Sequence, residues 1–288
     1  MRIGFYPGCS LNGTSREYNE SVKAIGKALG IDWVELKDWN CCGATAAHSM
    51  NKELSLALPT RILALAEKQG FQEIVVPCAS CYNRLSVAQY ELENNEKLKD
   101  DVLTVVGLPY LGTVKVLNVL QFIEKYILDI LPDKIVRPFA HQVACYYGCL
   151  LLRPHKVLKF DRLEDPQSMD KIMSILGANP IDWAFKTECC GAGLSVSRTG
   201  LVGRLSGNIL KDASDRGAEA VIVACPMCHS NLDMRRSTIN RHLMEPITIP
   251  VLYVTQVLGL AIGLSAKDLG LKRHFVGVNL KEAELCQE

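Results

Sequence analysis

Apolar and polar positions along this chain follow two rhythms, and the switches between them lay out short strands and longer helices. Arg2 to Tyr6 alternates, with Ile3 and Phe5 on one face, and predicts a strand. From Ser15 to Leu29 the spacing becomes helical, stacking Tyr18, Val22, Ile25 and Leu29, and Gly30 is placed to stop the helix. Thr60 to Gln69 is helical again, with Ile62, Leu65, Ala66 and Gln69 on one face, Pro59 near its start and Gly70 just past its end. The β-branched run from Glu73 to Pro77 reads as a buried strand that ends at Cys78.

The same order returns further along. Gln142 to Tyr146 predicts a strand. Asp165-Pro166 predicts a helix start, with Asp165 as N-cap and Pro166 in the first helical position. That helix buries Met169, Ile172, Met173 and Leu176, and Gly177 terminates it. Leu201 to Asp215 aligns Leu205, Ile209 and Asp212, with Gly217 as a stop, and Ala220 to Ala224 is a second β-branched run, ending at Cys225. The apolar stretch Val251 to Leu264 is about fourteen residues, short of the roughly 20 that cross a bilayer, and reads as a core helix. Strands alternating with helices predict parallel α/β layers. The expected fold class is α/β, with two similar cysteine-rich domains at 1–134 and 135–288. Their boundary falls near Leu131 to Arg137, between Pro132 and Pro138.

Composition narrows the function classes. The chain of 288 residues is 48% apolar, enough for a sizeable core, which excludes a wholly disordered protein. Its 32 basic and 31 acidic side chains leave a net charge of +1 with no long block of one sign, which argues against a nucleic-acid domain. The surplus is in the twelve cysteines. A chain of this length needs no disulfide staples, and its first residues lack the apolar run of a secretory signal. Metal or cluster ligation in a reducing cytoplasm is therefore the expectation.

The cysteines repeat. Pro7-Gly8-Cys9, Cys41-Cys42-Gly43 and Cys78-Ala79-Ser80-Cys81 are followed by Tyr147-Gly148-Cys149, Cys189-Cys190-Gly191 and Cys225-Pro226-Met227-Cys228. The double cysteines are offset by 148 residues and the CxxC pairs by 147. Thiolates are soft ligands that suit zinc, copper(I) and iron–sulfur clusters. A CxxC between a strand end and a helix start brings two sulfurs to one site beside exposed amides, which stabilise negative charge on cluster sulfides. Vicinal Cys41 and Cys42 have diverging Cβ atoms and do not easily chelate one tetrahedral zinc, but they could reach different irons. Gly43 and Gly191 permit close backbone approach. Four thiolates complete a cubane or a structural zinc site. Five in each half leave one over: a spare thiol, a redox thiol, or the mark of a cluster that is not a cubane.

At these residues the sequence resembles the CCG-domain proteins, and the B-type subunits of heterodisulfide reductases in particular. The resemblance implies one noncubane [4Fe-4S] cluster on Cys9, Cys41, Cys42, Cys78 and Cys81, and another on Cys149, Cys189, Cys190, Cys225 and Cys228. It implies catalysis at those cysteines: a disulfide held between the two clusters and reduced to two thiols, in methanogens the coenzyme M–coenzyme B heterodisulfide. It also implies partners, namely a small ferredoxin-like iron–sulfur subunit, a large FAD-containing iron–sulfur subunit that bifurcates electrons, and hydrogenase or dehydrogenase modules. No nucleotide loop, Walker motif or ferredoxin cysteine run occurs in the chain, so electrons must come from another protein. A non-catalytic electron relay or scaffold in a flavin-containing complex is the competing reading.

Cys145 reads as a buried structural thiol, with an alternate ligand as the other reading, and Cys286 as a free thiol in a polar tail. His48 and His229 follow ligand motifs; each is either an ordinary surface or cap residue or a group that tunes a cluster or donates a proton. Arg84, Arg153, Lys156, Arg198 and Arg204 lie near the motifs and could attract an anionic substrate, although solvent-facing charge is the plainer reading of each. Tyr82, Tyr147 and Met227 are expected to pack around the sites.

Overall fold

The computed structural model describes residues 1–44 and 47–280. In the first half, β1 (Arg2–Phe5) leads to α1 (Gly8–Asn12) and α2 (Arg16–Ala28), and β2 (Asp32–Glu35) to α3 (Ala47–Met50) and α4 (Lys52–Lys68). β3 (Glu73–Val75) leads to α5 (Ala79–Asn94) and α6 (Glu96–Val106), and β4 (Lys115–Leu117) to α7 (Val119–Tyr126). The second half runs β5 (Gln142–Tyr146), α8 (Ser168–Ile175), β6 (Asn179–Pro180), α9 (Thr199–Asp215), β7 (Ala220–Val223), α10 (Pro226–Leu232), α11 (Arg236–Asn240), β8 (Val251–Tyr253) and α12 (Val254–Ala261).

Both sheets are wholly parallel. Their orders are β2-β1-β3-β4 and β6-β5-β7-β8, the same arrangement twice. Helical crossovers bury both faces of such a sheet, so its central strands are apolar throughout rather than alternating. All four residues of β7 are buried, as are Ile74 and Val75 of β3. The molecule is thus two cysteine-rich α/β domains related by an internal pseudo-twofold duplication.

Several expected elements shift. The helix expected to start near Thr60 begins at Lys52, so Pro59 lies inside α4. An interior proline costs about 3 kcal/mol, but here the N-terminal turns are recruited by other contacts. Asn51 caps them through Leu54 N, and Leu58 packs over Gly43, where an added Cβ would stand 2.8 Å from Leu58 Cδ1. Asp165 is not an N-cap, because Lys186 Nζ takes its carboxylate at 2.9 Å; α8 starts at Ser168, and Asp161 accepts from Gln167 N and Ser168 N instead. The buried face of α9 is Val202, Ser206, Ile209, Leu210 and Ala213, turned from the expected Leu205 and Asp212 because Gly203 and Gly207 let the α11 region approach closely. The apolar stretch from Val251 divides into β8 and α12. Among the described residues, no helix is long and apolar enough to cross a membrane.

The halves share a core. α12 packs on α2, α7 on α8, and α1 on α10. At the α2 crossing, Tyr18 stacks on Tyr253 with ring centroids 4.0 Å apart, and Ser21 Oγ lies 2.6 Å from Thr255 Oγ1.

Candidate metal-cluster sites

Each site is assembled at the carboxyl ends of the two central strands of its sheet. After β1, the chain turns through Gly8 (φ +64°) and places Cys9 in α1; after β5 it turns through Gly148 (φ +66°) to Cys149. Only glycine fits there. A Cβ on Gly8 would lie 3.0 Å from Cys81 Sγ, and one on Gly148 3.0 Å from Cys228 Sγ. Cys78 and Cys225 are the N-caps of α5 and α10, which puts Cys81 and Cys228 in the first turn of each helix. The vicinal pairs arrive on loops that end in left-handed Gly43 (φ +76°) and Gly191 (φ +81°).

The structure draws all five first-half cysteines together. Cys42 Sγ lies 3.2 Å from Cys81 Sγ, and Cys41 Sγ 3.9 Å from Cys9 Sγ. Cys78 hydrogen-bonds to Cys81, whose backbone N–H also points at the Cys78 sulfur. In the second half Cys190 Sγ is 3.7 Å from Cys228 Sγ, Cys149 hydrogen-bonds to Cys189, and Cys225 interacts with Cys228. Gly43 N–H donates to Cys41 Sγ at 3.4 Å, and Gly191 N–H to Cys189 Sγ at 3.3 Å. Each site has a buried floor and an open edge. Cys42, Cys78 and Cys81 are buried while Cys9 and Cys41 are exposed; Cys190, Cys225 and Cys228 are buried, Cys149 is half-buried and Cys189 is exposed.

The thiols set one another's charge. Hydrogen bonds from Cys42 and Cys9 pull Cys41 down to about 2, with Gly43 N–H adding to the effect, while Cys42 is pushed up to about 12 by the same contact with Cys41. Cys189 is lowered to about 6, first by its hydrogen bond with Cys149, then by Gly191 and Ala192 amides. Cys78 and Cys190 are lowered too, by their hydrogen bonds with Cys81 and Cys228, while Cys9, Cys42, Cys81, Cys149 and Cys228 are pushed up and keep protons that a cation would displace. Five soft donors without a carboxylate or imidazole among them, with amides aimed at the sulfurs, suit iron–sulfur ligation.

Sequence reasoning missed the groups that hold the vicinal pairs. Tyr6 Oη donates to Asn40 O at 2.9 Å, and Tyr146 Oη to Glu188 O at 2.6 Å. Both carbonyls directly precede a double cysteine. The signal was present, since a tyrosine stands three residues before Cys9 and before Cys149. Asn231 and Ser206, which donate to Cys190 O, had no such signal.

The doubled cysteine-rich pattern has a family counterpart. The cysteine-rich domain family, CCG, matches this chain twice, at residues 3–86 and 143–233. The chain belongs to that family. Over 276 residues it is 31% identical to the 8-methylmenaquinol:fumarate reductase membrane anchor subunit of Wolinella succinogenes, covering 95% of this chain and 96% of the relative. Over 286 residues it is 30% identical to the B-type subunit of the ferredoxin/F420H2-dependent CoB-CoM heterodisulfide reductase of Methanosarcina acetivorans, covering 96% and 94%. It is thus homologous to the B-type proteins of heterodisulfide reductases, which are components of oxidoreductase complexes. A solved structure of a hypothetical protein from Helicobacter pylori has the same fold, with a TM-score of 0.80 at 15% identity; it covers 96% of this CCG-domain chain, which spans about half (52%) of that one.

The remaining candidates in this CCG-domain protein sort by burial. Cys145 is fully buried in β5, and burial pushes its thiol up. His229 is not at the surface. Burial keeps its imidazole neutral; it stacks on Tyr253, and Nε2 lies 3.1 Å from Val251 O and 3.3 Å from His274 Nδ1. Tyr82 is buried, and Tyr147 Oη donates to Asp170 while accepting from Met169 N. Arg84 donates to Asn83 Oδ1, Arg153 faces Glu164 at 3.5 Å, and Lys156 lies over the Tyr90 ring. Arg198 and Arg204 line an open pocket with Leu194 and His242. The His48 side chain and Cys286 lie outside the described residues.

Proposed function

We propose that this chain is the disulfide-reducing subunit of a heterodisulfide-reductase-like complex. Cys9, Cys41, Cys42, Cys78 and Cys81 hold one noncubane [4Fe-4S] cluster, and Cys149, Cys189, Cys190, Cys225 and Cys228 hold the other. The observation that carries the reading is the pairing of two five-thiol sites, each at the ends of central strands and each open on one edge. Four thiolates would complete a cubane, so a fifth in both halves supports a different cluster. A bound cluster supplies electrons and an iron position for substrate sulfur. The protein's own part is to fix the sulfurs, aim Gly43 and Gly191 amides at them, and keep solvent from the buried floor while leaving the Cys9–Cys41 and Cys149–Cys189 edges accessible.

Electrons come from partners in this reading: a small ferredoxin-like subunit fed by a large FAD-containing subunit, with hydrogenase or dehydrogenase modules upstream, all in the cytoplasm. Anaerobically purified protein is expected to hold about eight irons and eight sulfides per chain, two four-iron clusters, and to reduce a disulfide when supplied with its donor subunits. About four irons per chain contradicts two complete clusters. The Wolinella relative, named for a methylmenaquinol:fumarate reductase, favours a second reading in which the same clusters relay electrons to another enzyme. Electron transfer that persists when disulfide access is blocked decides for the relay.

A further inference from the structure

We infer that Tyr18 is a positioning residue that ties the two cysteine sites to each other through a single hydroxyl group. Its ring is fully buried where α2 of the first half crosses β8 and α12 of the second. Its Oη lies 3.3 Å from Pro77 O and 3.3 Å from Ala224 O. Pro77 directly precedes Cys78, and Ala224 directly precedes Cys225, so one O–H faces both CxxC strand ends from between the halves. A hydroxyl has one hydrogen to give. The two carbonyls therefore compete for the same donor at equal distance, and a gain by one is a loss by the other.

The ring is held so that its oxygen stays between the two carbonyls. Tyr253 stacks on Tyr18 at 4.0 Å with the planes 8° apart, and His229, the residue after Cys228, stacks on Tyr253 in turn at 4.4 Å and 18°. Tyr253 Oη donates to Glu17 Oε1 at 3.3 Å, the neighbour of Tyr18 on α2. A pillar of His229, Tyr253 and Tyr18 thus runs from the second CxxC helix to the point between the two strand ends. In so buried a place, a donor removed from two carbonyls leaves both short of a partner, and unpaired buried groups are costly. The inference rests on the two-cluster reading above. It adds that the sites are mechanically coupled, so that a change of charge at one, which alters how strongly its carbonyl accepts, is felt at the other.

The test is a reductive titration of the whole anaerobic chain, followed by electron paramagnetic resonance, with iron and sulfide counted first. Tyr18→Phe keeps the ring and its stack and removes the hydroxyl. Ser21→Ala is the comparison: it removes the contact with Thr255 across the same crossing and a bond to the Tyr18 carbonyl within α2, but leaves the Tyr18 hydroxyl in place and touches neither strand end. Expected in Tyr18→Phe are full iron loading, displaced midpoints for both sets of signals, and loss of any dependence of one site's midpoint on the state of the other; Ser21→Ala leaves both where they were. A loaded Tyr18→Phe protein with unmoved midpoints, a shift confined to one site, or equal shifts in Ser21→Ala overturns the coupling while leaving two clusters in place. Wild-type protein without iron and sulfide defeats the cluster reading itself, and the inference falls with it.

Discussion

The two halves share a sheet order and a cysteine plan, yet they surround their sites differently. In the first half Cys9 passes directly through α1 into α2, a helix of 13 residues. In the second, Cys149 is followed by an irregular stretch from 150 to 167, and α8 has only 8 residues. Gly30 and Gly177 end the two helices in the same left-handed way, so α8 corresponds to the later turns of α2. The extra turns of α2 carry Glu17 and Tyr18, the residues that reach Tyr253 and the second half. What repeated chain positions keep in common is the thiol floor; what they do not share is the contact surface around it.

The comparison is most directly broken at the thiols. Cys42→Ala and Cys190→Ala are each expected to remove one cluster and leave the other, halving iron content and deleting different spectral components. Disulfide reduction falls by more than about 100-fold in either, since ligand loss exceeds the 10–100-fold typical of groups that only support ligands. Loss of the same component in both variants shows that the ten cysteines do not divide five and five.

Next in size is the charge that anchors the approach to each vicinal pair. In the second half Lys186 is buried, with Asp165 at 2.9 Å and Asp170 at 3.1 Å, and its carbonyl accepts from Tyr147 N and Gly148 N. In the first, Arg61 reaches Asp38 at 2.6 Å on the surface. Lys186→Met leaves Asp170 with Tyr147 Oη but without its countercharge and is expected to cost about 3 kcal/mol in urea unfolding. Arg61→Ala loses an exposed pair, worth about 1 kcal/mol or less. Equal losses refute the claim that burial separates them. Smaller again are Tyr6→Phe and Tyr146→Phe, each removing one hydrogen bond to the residue before a double cysteine, at about 1 kcal/mol. Each is expected to perturb the spectrum of its own half alone.

How much of this is legible in the sequence follows from range. The CCG and CxxC positions, the strands that end at them and the glycines after them are local chemistry, and all appear in the chain order from which they are read. The helix around Pro59 starts earlier than its pattern suggests because its first turns are held by Gly43 and Asn51 rather than by propensity. Asp165 fits an N-cap locally, but Lys186, 21 residues on, claims it. Tyr18 reads as one member of a helical stripe. Its bond to Ala224 spans 206 residues, and no periodicity encodes that.

The smallest expected effect is on pH. Burial raises Glu73 in one sheet, but Lys125 and Tyr126 outweigh it and hold the carboxyl below the usual range; Glu219 in the other is lowered by His141 and then by Gln142 N–H. Groups with depressed folded values stabilise above their ordinary pKa of about 4.3, and that stability is lost as pH falls through the folded value. Glu73→Gln and Glu219→Gln should each flatten the acid limb of a stability–pH curve below about pH 4.3, leaving neutral behaviour unchanged in slope.

The open rim of each site also fixes the order in which air does damage. Oxidation begins at accessible thiolates and proceeds to sulfenic and then irreversible acids. Cys41 and Cys189 are both exposed, whereas Cys42, Cys78 and Cys190 lie beneath them. Oxidation in air is therefore expected to start at the outermost sulfurs and work inward, so a sample exposed briefly loses its rim thiols before its buried ones.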